Sequence, residues 1–240
     1  MTTQRNDSWK CIGIYFILVF LGISSRADES KPTPAEPPPL TEYQGRKIAQ
    51  TMHWMGASWL VRHKREQEEA VTLMREKLSL KPGMMVCDMG CGNGFHSMPM
   101  AKAVAPNGKV YGVEIQEPYF QMLEDAAKKQ NVTNFVPVHG LLYDPKLPEN
   151  TFDIILMVDV YHEFSHPEQM LQAMRKALKP DGNLVFLEFR AEDETVPIKP
   201  EHKMSKVQLT KELAANGFNL TKEFDELPWQ HMMWFGKDAK

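Results

Sequence analysis

One short segment constrains this chain more than any other. An apolar run, Met84-Met85-Val86-Cys87, leads directly into Asp88-Met89-Gly90-Cys91-Gly92-Asn93-Gly94, and a helical stretch follows. Glycines at alternate positions let the backbone turn sharply and approach a ligand without Cβ clashes. At the carboxyl end of a strand, such a turn is where open α/β sheets bind small molecules. The spacing is G-x-G-x-G, and Phe95 stands where a dinucleotide fingerprint needs its third glycine. Asp88, just ahead of the loop, would repel a pyrophosphate and welcome an ammonium group.

The pattern around this segment alternates. Strands are expected at 84–88, 109–114, 134–138, 152–158 and 183–189, with helices near 95–105, 117–130 and 166–178. That alternation predicts a doubly wound α/β fold, a parallel sheet covered on both faces. A helix near 205–215 and two strands, 218–225 and 229–236, complete the chain. The last of these alternates from Trp229 to Trp234 and reads as a sheet edge, with His231 on the surface. Upstream, Ile48, Met52, Met55 and Trp59 fall at helical spacing, interrupted by Gly56. Ser58 would cap a second helix reaching about Leu80, which Lys81-Pro82-Gly83 ends. These helices form a cover, either plainly packed or a lid with His53, Trp54 and Trp59 lining the site. Among sixteen methionines, Met98, Met100, Met157 and Met174 are expected in the core.

The amino-terminal residues read as an address. Arg5 and Lys10 precede thirteen residues, Cys11 to Ile23, without a charged side chain. As a helix that run spans roughly 20 Å, short of a hydrocarbon core of roughly 30 Å. With the small-x-small ending Ser25-Arg26-Ala27, residues 1–27 read as a secretory signal, and export to a periplasm or medium is expected. The alternative is an uncleaved membrane tether. Residues 28–40 hold five prolines and read as an extended linker, 41–80 as the cover helices, and 81–240 as the main α/β domain. A formal charge of −3 offers no basic stripe for nucleic acid, and three cysteines build no disulfide scaffold.

The DMGCGNG loop resembles motif I of the class I S-adenosylmethionine-dependent methyltransferases. The likeness extends to Val113-Glu114 closing the second strand, to FDIILMVDVYHEF, and to LKPDGNLVFLEF. It is similar in particular to the ubiquinone/menaquinone and arsenite methyltransferase-like group. The resemblance implies a Rossmann-like, mostly parallel seven-stranded sheet with an antiparallel carboxyl-terminal strand, and S-adenosylmethionine as cofactor. It implies that Gly90, Gly92 and Gly94 underlie the methionine and ribose portions, with Asp88 near the amino group. Glu114 would bind the ribose hydroxyls and Ile115 would flank the adenine. Where the family often has Gly-Asp after the third strand, this chain has Gly140-Leu141, which puts Leu141 beside the adenine without a carboxylate.

The segment Asp159-Val160-Tyr161-His162-Glu163-Phe164 follows the fourth strand, whose end faces the transferable methyl in this fold. His162 titrates near working pH and suits a general base. Tyr161 would orient an acceptor hydroxyl, and Asp159 would meet the cofactor's amino end. The other reading of His162 is a helix cap or a local pair with Glu163. Cys87 and Cys91 read as strand and loop residues, too few for arsenite chemistry. Histidines at no HExxH-like spacing lead to no expected metal. The expected activity is methyl transfer to a small-molecule acceptor. Two rivals are an exported, non-catalytic binding module on the same fold, and a nicotinamide oxidoreductase, which the loop spacing disfavours.

Overall fold

The computed structural model describes residues 36–239. The expected signal segment and residues 28–35 of the expected linker lie outside the described residues.

A seven-stranded sheet carries the molecule. In chain order its strands are β3 (Met85–Met89), β4 (Lys109–Glu114), β5 (Phe135–His139), β6 (Phe152–Val158), β7 (Leu178–Arg190), β9 (Phe218–Phe224) and β10 (Gln230–Lys237). They lie in the order β5-β4-β3-β6-β7-β10-β9, and a two-residue strand, β8 (Lys203–Met204), pairs in parallel with the end of β7. β10 runs antiparallel to both β7 and β9. The other neighbouring pairs are parallel. The strand order reverses between β3 and β6, and the crevice at their carboxyl ends is where such sheets bind ligands.

The residue pattern explains the double covering. Cys87, Ile155, Met157 and Phe186 point to one face, where they pack with Met170, Leu171 and Met174 of α5 (Pro167–Ala177) and with Leu209 and Leu213 of α6 (Lys206–Ala215). Val86, Ile154, Leu156 and Val185 point to the other. There they meet Val71, Met74 and Leu78 of α2 (Val71–Leu78) and Met100, Ala101 and Val104 of α3 (Ser97–Val104). Both sets are apolar because neither face of a central parallel strand reaches water. α4 (Pro118–Gln130) packs through Leu123 on Cys91 and Met98. All four methionines expected in the core are buried, as are Cys87 and Cys91.

The amino-terminal segment departs from expectation. Instead of a helix through Ile48 and Met52, a tight hairpin forms from β1 (Glu42–Tyr43) and β2 (Arg46–Lys47), followed by irregular backbone to His53. A 3₁₀ helix covers Trp54–Val61, and α1 (Arg65–Glu69) is separated from α2 by Ala70 at φ 46°. The helical spacing was misleading because the segment's hydrogen bonds go to the body. Ala49 N donates to His162 O, Trp54 N donates to the Gln116 side chain, and Met52 N to Glu163. A second correction concerns β10, which is an interior strand rather than an edge; His231 is therefore buried, and β9 takes the edge.

Candidate functional site

The crevice opens into a cavity of ≈ 570 Å³ bounded by the ends of β3, β4 and β6 and by the amino-terminal segment. Gly90 and Gly92 form its floor, both with backbone in the left-handed region, φ 68° and 51°. Neither tolerates a side chain. A Cβ on Gly90 would lie 2.4 Å from Val160 Cγ2, and one on Gly92 would lie 2.6 Å from Leu60 Cδ1.

Glu114, at the tip of β4, organises one end. Its Oε1 accepts from the backbone N–H of Ile115 (2.7 Å) and Gln116 (2.9 Å), and its Oε2 from that of Gly92 (3.1 Å). The acid thereby ties the glycine loop to the turn after β4. Burial raises its pKa, although these three donors oppose the shift. Ile115, Gln116, Tyr119, Leu141 and Leu142 continue the wall. The acid missing at position 141 is not supplied by Asp144, whose carboxylate is bonded to Lys146.

Asp159 borders the same cavity and carries two marks of a site under constraint. Its backbone sits at φ 50°, an unfavourable region for a residue with a side chain. Its Oδ2 accepts from Gln230, whereas its Oδ1 is buried with no partner among the described residues. Burial drives its pKa well up.

Asp88 and Gly94 do not line the cavity. Asp88 is buried behind the loop, where its Oδ2 accepts from Ser97 Oγ at 2.5 Å. Burial pushes its pKa up to about 6 against the pull of Ser97, Arg65 and Arg75. A raised acid pKa means the folded state holds the charge at a cost. That cost is fully present above pH of about 6 and vanishes below the unfolded value of about 3.9. Asp88→Asn should therefore stabilise the cofactor-free protein by about 1–3 kcal/mol at pH 7.5. The gain should shrink to nothing near pH 4. Chemical denaturation of both proteins across that range measures it, and an advantage independent of pH would refute the assignment.

A polar cluster occupies the far end. His162, 2% exposed, directs Nδ1 at Glu188 Oε2 (2.6 Å) and Nε2 at His202 Nδ1 (3.2 Å), and Glu163 Oε1 lies 4.0 Å from the same Nε2. Burial would lower the His162 pKa, but the Glu188 charge and hydrogen bond raise it overall. Burial lifts the Glu163 carboxyl to about 7, against the pull of His162. Phe164, Met170, Phe189, Pro197 and Ile198 make the surrounding walls apolar.

Tyr161 does not join this cluster. It is fully buried on the opposite side of its turn, and its hydroxyl donates to Glu212 Oε2 at 2.7 Å. Arg46 clamps the same carboxylate through two bonds, 2.7 and 3.1 Å, and also donates to His162 O. The expected role of orienting an acceptor is replaced by one of anchoring the hairpin. Tyr161→Phe should cost about 1.5–3 kcal/mol of stability, because the hydroxyl meets a charged acceptor. Catalytic rate should stay within about threefold; a larger loss of rate in the folded variant would return Tyr161 to the site.

Glu188 and His202 were not singled out in the sequence. An acid inside the otherwise apolar run LVFLEF is a signal, since a buried carboxylate requires a partner. His202 carries no such signal. Of the expected lid residues, Trp59 lines the cavity, while His53 caps the 3₁₀ helix by accepting from Met55 N. Arg65 and Glu69 also reach the cavity, as a pair at 2.6 Å.

Comparison with known proteins agrees with this architecture. A family model described as a methyltransferase domain matches residues 80–234. A demethylmenaquinone methyltransferase from Geobacillus sp. (strain WCH70) is 27% identical over 127 residues, covering 53% of this chain and 53% of that protein. The protein of the same name from Geobacillus stearothermophilus is 28% identical over 112 residues, 47% of this chain and 48% of that one. The chain thus spans about half the length of the curated relatives it matches. A solved SAM-dependent methyltransferase from Aquifex aeolicus superposes with a TM-score of 0.72 at 23% identity, over 77% of this chain and 98% of that one.

Proposed function

The chain belongs to the methyltransferase-domain family, and from that premise we propose that it methylates a small molecule with an apolar body and an acidic hydroxyl, bound against His162. The methyl donor is S-adenosylmethionine, which supplies a methyl group on a sulfonium, already activated for displacement. The protein's residues suit it. Asp159 Oδ1, without a partner among the described residues, is the place for an ammonium, and Glu114 presents a carboxylate at the opposite wall for hydroxyls. Gly90 and Gly92 keep the floor between them low.

The observation that carries the acceptor class is the division of the cavity. Beyond Asp159 the walls are apolar except for His162, Glu163, Ser165, Lys199 and His202. An apolar ring system would fill such a space, and its hydroxyl would meet the histidines. Removing the hydroxyl proton leaves an electron pair on oxygen or an adjacent ring carbon to form the new bond to methyl. The methyl–sulfur pair stays on the donor. The Geobacillus relatives, named for a quinone substrate, support a ring acceptor. Met52, Trp59 and Leu60 of the amino-terminal segment add apolar surface to the same cavity.

A panel of small phenols, quinols, amines and thiols, assayed for methyl transfer, tests this reading. Transfer confined to amines or thiols would refute it. Cofactor binding without transfer to any acceptor would favour a non-catalytic binding module.

Export belongs to the same proposal. Expressed in a bacterial host with its native amino terminus, the chain should be cleaved after Ala27. Mass spectrometry of the purified protein decides it; an intact Met1 would make residues 11–23 a tether or a misread segment.

A further inference from the structure

We propose that His162, Glu163 and His202 form a binding site for a divalent transition-metal ion, zinc in type, at the acceptor end of the cavity. The donor atoms are already gathered. One atom from each residue lies within 4.8 Å of the other two, and the imidazole nitrogens are 3.2 Å apart. Two ligands bonded at about 2.0–2.1 Å to one tetrahedral ion sit about 3.4 Å apart. The histidine pair is therefore at coordinating distance. Glu163 Oε1, 4.0 Å from His162 Nε2 and within 4.8 Å of the His202 donor, has to move inward to join the pair.

The surroundings are those of a coordinating histidine. Glu188, fully buried, takes the Nδ1 side of His162 at 2.6 Å and is itself held by the backbone N–H of Tyr161 at 3.1 Å. With the proton fixed on Nδ1, the Nε2 lone pair is directed at His202 and Glu163. A carboxylate bonded to the rear nitrogen is the usual second support of a metal-bound imidazole. Glu163 is steadied by Met52 N at 3.2 Å. Two carboxylates, Glu163 and Glu188, face a dication here; the nearby Arg46 is engaged by Glu212, and Lys199 is a further cation lining this end.

Donor chemistry selects the ion. Two nitrogens and one carboxylate suit zinc, iron or cobalt; magnesium and calcium take oxygen ligands. Three protein ligands with the cavity in front leave a position open, as in sites that bind a reactant rather than in closed structural ones. A hydroxyl oxygen taking that position would lose its proton near neutral pH. This last role rests on the methyltransferase reading; occupancy of the site does not. His162 and Glu163 are adjacent, and His202 follows 40 residues later, which is why no metal motif appears in the sequence.

The test uses the untagged full chain, stripped with chelator and titrated separately with Zn²⁺ and Co²⁺. One ion per chain is expected, with visible cobalt absorption of the intensity given by four- or five-coordinate nitrogen and oxygen sites. His202→Ala, on a short, partly exposed turn, should lose at least 100-fold in affinity. Glu188→Gln, which keeps a partner for His162, should lose about 10–100-fold. Titration with S-adenosylhomocysteine, unchanged in His202→Ala, establishes that this variant is folded. Absence of saturable binding, or binding that survives His202→Ala, would overturn the site and leave a plain histidine–histidine hydrogen bond. Metal binding without cofactor binding would overturn the methyltransferase reading and not the site.

Discussion

Glu114→Ala should weaken S-adenosylhomocysteine binding by about 2–3 kcal/mol, a factor of about 30–150, the worth of two hydrogen bonds to a charged acceptor. The structure gives this acid a second task. Its carboxylate already receives the N–H groups of Gly92, Ile115 and Gln116. Alanine would uncover all three and free the glycine loop from β4, so entropy lost on binding would add to the missing contacts. The loss should appear in isothermal titration as a weaker enthalpy together with a less favourable entropy. Thermal unfolding provides the control, since only a folded variant can report on contacts to the ligand. Unchanged affinity in that folded variant would remove Glu114 from the site and leave it a purely structural tie.

The sheet and the floor of the site were legible in the sequence because each depends on local pattern. Stretches such as Ile154–Val158 are continuous apolar runs, and the loop Gly90–Gly94 needs residues without a Cβ. Tertiary hydrogen bonds were not legible. Ile48, Met52 and Met55 match a helical period, yet the backbone between residues 40 and 54 spends its donors and acceptors on Ser165, His162, Glu163 and Gln116. Propensity gave way to these partners. Position within a sheet is equally invisible in a strand's own residues. Trp229–Trp234 alternates like an edge, but β9 folds back along it, and His231 is covered.

The same limit shaped the reading of the active end. Tyr161 and His162 are neighbours in sequence, which suggested a shared role. The 3₁₀ turn Tyr161–Glu163 sends them apart, one ring to Glu212 and the other to Glu188. Asp88 and Asp159 differ in a similar way. Both are acids at strand ends, but Asp88 is buried behind the loop, while Asp159, with its backbone at φ 50°, borders the cavity.

His162→Gln should reduce turnover by about 10²-fold or more, with cofactor affinity held within about threefold. Glutamine is the informative replacement because of Glu188. Alanine would leave that fully buried carboxylate without its 2.6 Å partner, and such an orphaned charge costs several kcal/mol, so an inactive His162→Ala protein could simply be unfolded. The glutamine amide can still donate to Glu188 while offering no nitrogen that accepts a proton or binds an ion. Loss of rate then reflects the missing ring nitrogen facing the acceptor. Cofactor affinity is a separate readout, because His162 bonds to Glu188 and His202 and not, among the described residues, to Glu114, Asp159 or the glycine floor. A parental rate in His162→Gln would show that transfer needs only proximity and orientation, which can contribute several kcal/mol without any titrating group. In that case Glu163 and His202 would owe their placement to packing of the amino-terminal segment, and the apolar walls alone would determine which acceptor is methylated.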